Sequence, residues 1–177
     1  TLLAAFATLM FRYSGQEDIL VGTPTANRNH QDIEPLIGFF VNTLVMRTRL
    51  DRNPSFSELL QQVRSCAMDA YAHQDVPFEQ VVEGLQLKRN LSHSPLFQVV
   101  FALQNAPPEQ LEMPGLLITP ESLENVNAKF DLTLQMWETQ TNEGTSLQGY
   151  WQYNGDLFDR DRIIRMADHF QTLLAGI

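Results

Sequence analysis

The longest unbroken run of apolar positions opens the chain. Leu2-Leu3-Ala4-Ala5-Phe6-Ala7-Thr8-Leu9-Met10-Phe11 is apolar on almost every side of a helical projection, where a surface helix would show one stripe. Gly15 is a suitable left-handed stop, so the pattern predicts a buried helix of about fourteen residues. Ile19 to Thr23 is a short apolar run between turn residues and reads as a buried strand. Thr23 to Pro35 is polar, rich in Asn and Asp, and holds two prolines, which predicts a long loop. From Phe39 to Leu50 the residues alternate: Leu44, Met46, Thr48 and Leu50 share one face, while Val45, Arg47 and Arg49 share a face that turns wet towards its end.

Ser55-Phe56-Ser57-Glu58, directly after Pro54, is a capping-box pattern. The helix it opens is expected to reach about Ala72 and to turn Phe56, Leu59, Leu60, Val63, Ala67 and Ala70 to the core. Pro77 suits the first turn of a short helix from Phe78 to Glu83, ended by Gly84. Pro95 to Gln104 is a strongly apolar strand, Ala106 to Gly115 a loop or arm with three prolines, and Leu116 to Thr119 a short strand. Phe130 to Thr139 and Ser146 to Tyr153 read as a hairpin joined through Gln140 to Thr145. Asp159 is placed to cap a last helix to about Ala175, with Ile163, Met166, Phe170, Leu173 and Leu174 at helical spacing. The order of elements predicts a mixed α/β (α+β) two-layer lobe around one sheet, with no repeat and no internal boundary.

Composition narrows the classes. The chain has 177 residues, enough for one domain or a large piece of one. It is 44% apolar and 19% charged, which supports a packed core and excludes disorder. With 12 Lys+Arg against 21 Asp+Glu, a net charge of −9 and no basic run, binding of nucleic acid or an anionic membrane is not expected. No apolar stretch is long enough to span a bilayer. The single cysteine, Cys66, excludes an internal disulfide and fits a reducing, cytoplasmic location. The chain opens at Thr1 without a basic leader, and we expect it to be cut from a longer polypeptide.

Common short motifs of catalysis are missing: no G-x-G-x-x-G, Walker loop, G-x-S-x-G or H-E-x-x-H occurs. The four histidines (His30, His73, His93, His169) lack metal-ligand spacing. Cys66 sits among apolar helical neighbours, which disfavours a thiol nucleophile served by His73 and Asp75. Three clusters do put polar residues where a plain core would not. In Ile37-Gly38-Phe39-Phe40-Val41-Asn42-Thr43, an apolar run is broken by Asn42, whose amide must either tie down a neighbouring loop or face a wet channel. His73-Gln74-Asp75-Val76-Pro77-Phe78-Glu79 is a compact polar turn between helices, with Asp75 a candidate cap for the second. Leu91-Ser92-His93-Ser94-Pro95-Leu96-Phe97-Gln98 is a polar approach to an apolar strand.

In this order and spacing the clusters resemble the later motifs of the condensation domains of nonribosomal peptide synthetases. The first matches that family's I-G-x-F-V-N-T element, the second is close to H-Q-D-x-P-F-E, and Arg89 to Gln98 is similar to R-D-x-S-R-x-P-L-F-Q. In the third, Asn90 and His93 replace the usual acidic and basic residues. Arg12 to Asp18, Val21 to Pro24, Ala128 to Leu132 and Asp156 to Phe158 agree with the same family, so the resemblance runs from about Leu2 to Leu174.

The resemblance implies a two-lobed enzyme of the chloramphenicol-acetyltransferase type. Such a domain joins an upstream acyl or peptidyl thioester to a downstream aminoacyl thioester, both carried on phosphopantetheine arms. Its partners are carrier domains and a neighbouring adenylation domain, with no cofactor or metal bound directly. The family's His-His-x-x-x-Asp-Gly element does not occur here: the chain has no adjacent His pair and no Asp-Gly dipeptide, so no residue is assigned as catalytic. The chain is therefore expected to be the C-terminal lobe (residues 1–177), inactive by itself and paired with an N-terminal lobe that also covers the apolar first helix. By family motif, Gly38, Phe39, Phe40, Asn42, Thr43, Gln74, Asp75, Pro77, Phe78, Ser94 and Gln98 are expected at the substrate tunnel or between the lobes. Thr23 to Gly38 is expected to floor that tunnel, and Ala106 to Gly115 to belong to an arm reaching the other lobe. Competing readings are an epimerization domain of the same synthetases, which the Pro95-Leu96-Phe97-Gln98-Val99-Val100 strand disfavours, and a non-catalytic lobe that docks carrier domains.

Overall fold

A computed structural model describes residues 1–29, 31–86, 94–104, 115–116, 127–141 and 144–177. Helix α1 (Leu2–Ser14) leads to strands β1 (Asp18–Thr25) and β2 (Asn42–Arg49), helices α2 (Phe56–Ala72) and α3 (Phe78–Gly84), strands β3 (Val99–Gln104), β4 (Leu132–Thr141) and β5 (Gly144–Tyr153), and helix α4 (Arg160–Ala175). Local chemistry sets the limits of these elements. Gly15 closes α1 in the left-handed region (φ 70°) and donates its N–H to the Phe11 carbonyl. At the start of α2, Ser55 Oγ accepts from the Glu58 N–H while the Glu58 carboxylate accepts from the Ser55 N–H, the complete capping box.

The strands form one sheet in the order β2-β1-β3-β4-β5. Its centre is parallel, with Val21 beside Val99 and Val99 beside Leu132, and both outer pairs are antiparallel. Helices α1, α2 and α4 pack on one face, α1 between the other two. Ile19, Val21, Leu44, Met46, Phe101, Leu132, Leu134 and Met136 meet them there, and the Phe6 ring lies 5.6 Å from Phe101 and 6.0 Å from Trp151. The alternation read in β2 holds, with Leu44, Met46, Thr48 and Leu50 buried and Arg47 and Arg49 exposed.

Helix α1 corrects the expectation that its partners lie outside this chain. Ala4, Ala5, Phe6 and Ala7 are fully buried by α2, α4 and the sheet of this same chain. A central helix clamped between two others has little surface left for a polar stripe. Three strands start later than the apolar runs suggest, β2 at Asn42 instead of Phe39, β3 at Val99 instead of Pro95 and β4 at Leu132 instead of Phe130, while the hairpin strands reach Thr141 and Gly144 at the turn. Most of the proline-rich arm and of the Leu116–Thr119 strand, and Arg89 to His93 of the third cluster, lie outside the described residues.

On the opposite face of the sheet, aromatic side chains cover one end. Gly22 alternates with Val21 and Thr23, so a Cβ there would point away from the three helices, and it would stand 2.2 Å from the Phe97 ring. Phe97, nearly fully buried, stacks between Phe78 and Phe130, each ring 5.5 Å from its own. This aromatic trio, with Val100 and Ala102 buried on β3, makes a second, smaller apolar cluster outside the main core.

Candidate functional site

A cleft of about 760 Å³ opens beside that trio. Phe78, Phe97 and Phe130 line its apolar wall. The stretch Phe39 to Thr43 forms another side, and Asp75, Pro77 and Ser94 complete it. Eight of the eleven motif residues thus meet at one place although they come from three separate stretches of sequence. Lys129 and Glu79 also line the cleft; with Asp75 they are its charged residues.

Asn42 holds these stretches together. Its Nδ2 donates to the carbonyls of Gln74 (2.7 Å) and Val76 (2.8 Å). Its Oδ1 accepts from the Thr43 N–H (2.8 Å) and from the Phe78 N–H (3.1 Å). Two donors and two lone pairs are the full capacity of a carboxamide, and all four are used. The first strand residue of β2 therefore caps the N-terminus of α3 from a distance in sequence. Pro77 stands at that N-cap with no side chain able to do so, and Asp75 is not the cap. Of the two roles read for a buried Asn, tying down a loop is the one observed.

The turn between α2 and α3 is fixed from the other side by β1 and the loop after it. Gln74 Oε1 accepts from Thr25 Oγ1 (2.9 Å), and Asp75 Oδ1 accepts from Asn29 Nδ2 (3.2 Å). Gln74 therefore acts behind the cleft wall. Gln98 also stands apart: its Nε2 donates to the Ser94 carbonyl, and its side chain borders a separate hollow of about 320 Å³. That hollow lies between the C-terminal end of α1, the start of α4 and the first residues of β1 and β3. Gly38 belongs to the loop beside the cleft. Gly38, Gln74 and Gln98 thus stand outside the cleft lining, and Gln74 supports the adjoining turn.

Sequence reasoning missed Arg28. Its Nη1 donates to the carbonyls of Ile33 (2.7 Å), Glu34 (2.9 Å) and Leu36 (2.8 Å), and its Nη2 to that of Gly38 (3.2 Å). The guanidinium carbon also sits 4.3 Å from the centre of the Phe40 ring. Backbone carbonyls carry no sequence signal, so the Asn- and Asp-rich stretch with its two prolines predicted only a long loop. Those bonds hold Ile33 to Gly38 as a loop, and β2 begins only at Asn42. The side chains of Ile37 and Phe39 project into solvent, 104% and 89% exposed.

The arrangement holds and shapes the cleft. Among the described residues no group of three His, Cys, Asp or Glu gathers to hold a metal ion, and no helix is long and apolar enough to cross a membrane.

Three comparisons bear on this geometry. The family model described as "Condensation domain" matches residues 1–177. Malpinin synthetase of Mortierella alpina is 48% identical over 177 residues, which cover all of this chain and 2% of that protein. Tyrocidine synthase 3 of Brevibacillus parabrevis is 44% identical over 178 residues, 99% of this chain and 3% of its own length. The X-domain from teicoplanin biosynthesis superposes with a TM-score of 0.88 at 30% identity, over 98% of this chain and 39% of that one. The condensation domain from the Monacolin K polyketide synthase MokA shares the fold, with a TM-score of 0.78 at 22% identity over 99% of this chain and 40% of its own.

Proposed function

The chain belongs to the condensation-domain family, and from that premise we propose that it is the C-terminal lobe of such a domain in a nonribosomal peptide synthetase, completing the channel in which an amide bond forms. In that reaction the amine of a downstream aminoacyl thioester attacks the carbonyl of an upstream acyl or peptidyl thioester. A C–N bond forms, the C–S bond breaks, and the upstream carrier thiol is released. Both substrates reach the channel on phosphopantetheine arms of carrier domains, in the cytoplasm and next to an adenylation domain. The role we give this chain is that of a wall, with no catalytic residue assigned in it.

The observation that carries the reading is the convergence of eight motif residues on one cleft. A coverage of 40% of a solved condensation domain agrees with one lobe of two. The cleft has the chemistry such a wall needs: an aromatic side to exclude water and a set of saturated hydrogen bonds that fixes its shape before substrate arrives. With Asn42 fully engaged, its role is to hold Phe39 to Thr43 against the α2–α3 turn, leaving the acyl and amino groups to other residues.

The test uses the intact synthetase module with both carriers loaded, amide product being read by mass spectrometry. Wild-type module is expected to form the amide, and this chain alone to form none. Asn42→Ala in the module removes the side-chain partner of the Thr43 and Phe78 N–H groups and of two carbonyls, and is expected to slow product formation by about tenfold or more. No amide from the loaded wild-type module, or product from the isolated chain, would overturn the reading. Unchanged turnover and melting temperature in Asn42→Ala would overturn the role given to that residue.

A further inference from the structure

We infer that Arg28 is a positioning residue for the amide-forming site: it sets the shape of the 33–40 loop, so that the Phe39–Asn42 wall of the cleft is in place before any partner or substrate binds. The inference rests on the function proposed above, and Arg28 itself is not among the residues named from the family motifs. Arg28 makes four contacts to main-chain carbonyls spread over Ile33 to Gly38. Nη1 has two hydrogens for three of those carbonyls, so one hydrogen is shared. No other side chain gathers so many carbonyls among the hydrogen bonds of the described residues.

The loop is locked on its second side by packing. Phe40 lies under the guanidinium, and a Cβ placed on Gly38 would stand 3.0 Å from the same ring. Asn27 turns the chain through the left-handed region (φ 51°) just before Arg28, a conformation that Asn tolerates better than most residues. Cation, ring and glycine thus form one unit between β1 and β2. Its consequence is geometric. The carbonyls of Ile33, Glu34, Leu36 and Gly38 turn to Arg28, and the apolar side chains of Leu36, Ile37, Phe39 and Val41 stand exposed beside them. A loop of that composition left to itself in water would fold its apolar side chains inward.

A preshaped loop removes the ordering cost that a flexible one adds at every binding event. Lysine is a poor substitute because its compact ammonium cannot reach four carbonyls as a planar fork, nor stack flat on a ring.

The experiment has two readouts in the intact module. The first is proteolysis by chymotrypsin after Leu36 or Phe39, which reports loop order whether or not the module is active. Arg28→Ala is expected to raise the cleavage rate by about tenfold, Arg28→Lys nearly as much, and Phe40→Leu by less, in the order of contacts removed. The second is single-turnover amide formation with loaded carriers: Arg28→Ala is expected to be slow, and added ethylguanidinium ion to restore part of the rate and of the protease resistance. Wild-type cleavage rates in Arg28→Ala would overturn the inference, as would a lost rate that ethylguanidinium does not restore while global melting falls in parallel. A wild-type module that makes no amide but shows the expected cleavage pattern would overturn the function proposed above and, with it, the placing of Arg28 at an amide-forming site, while leaving the loop clamp itself standing.

Discussion

Gly22 shows how a single atom decides the fit of the cleft. Phe97 lies over its backbone so closely that a methyl group would overlap the ring at 2.2 to 2.7 Å, and the ring is held between Phe78 and Phe130. It has nowhere to swing. Gly22→Ala is therefore expected to cost about 2 kcal/mol, in the range found for overpacked cores, and to lower the melting temperature of the domain. Phe97→Leu in the same background should recover part of the loss; an unchanged melting temperature in Gly22→Ala would show that β1 slides aside instead. Nothing in the run Ile19-Leu20-Val21-Gly22-Thr23 announces this requirement. The ring that needs the glycine arrives from another strand. Asn42 was legible as an odd residue in an apolar run. Its four partners were not, because three of them are main-chain groups of the α2–α3 turn.

At the scale of elements, helix ends were the best-read features and strand ends the worst. The capping box of α2 and the Gly15 stop of α1 depend on neighbours three or four residues away, which sequence shows directly. Ser55→Ala removes the acceptor for the Glu58 N–H and is expected to destabilise by about 1 kcal/mol, read as a lower denaturant midpoint with an unchanged slope. Strand β2 begins at Asn42, after a loop whose carbonyls up to Gly38 turn to Arg28, an arrangement invisible to alternation alone. On the other end of the same pair, Arg47 donates to both carboxylate oxygens of Asp18, at 2.9, 3.2 and 2.6 Å. That hydrogen bond, more than the charge itself, holds the Asp18 carboxyl below its ordinary value. A carboxyl depressed in the fold contributes stability above its unfolded value near 3.8, and loses it as pH falls through the lower folded one. The pair is about half exposed, so the contribution is small and screened by salt. Asp18→Asn is accordingly expected to flatten the loss of stability between pH 5 and the acid transition, roughly the window in which the carboxyl titrates. Urea melts at low salt check this, and identical slopes for both proteins would remove the pair from the acid response.

For the whole molecule, the mixed α/β layers around one sheet were readable from the order of elements, and residues of the three motif clusters meet at one cleft. What sequence could not show is that the main core is closed within this chain, since an apolar helix looks the same whether its cover is near or absent. The second apolar cluster has a further consequence. Its rings come from α3, from the approach to β3 and from the approach to β4, and Gly22 beneath them comes from β1. The seam that brings β1 to β3 joins Val21 to Val99, the longest jump in sequence between neighbouring strands of the sheet. Neither the β1–β2 pair nor the β4–β5 hairpin contains a cleft on its own. Anything that occupies it can bind only the completed chain, and by mass action each occupant shifts the folding equilibrium of the entire lobe in its own favour.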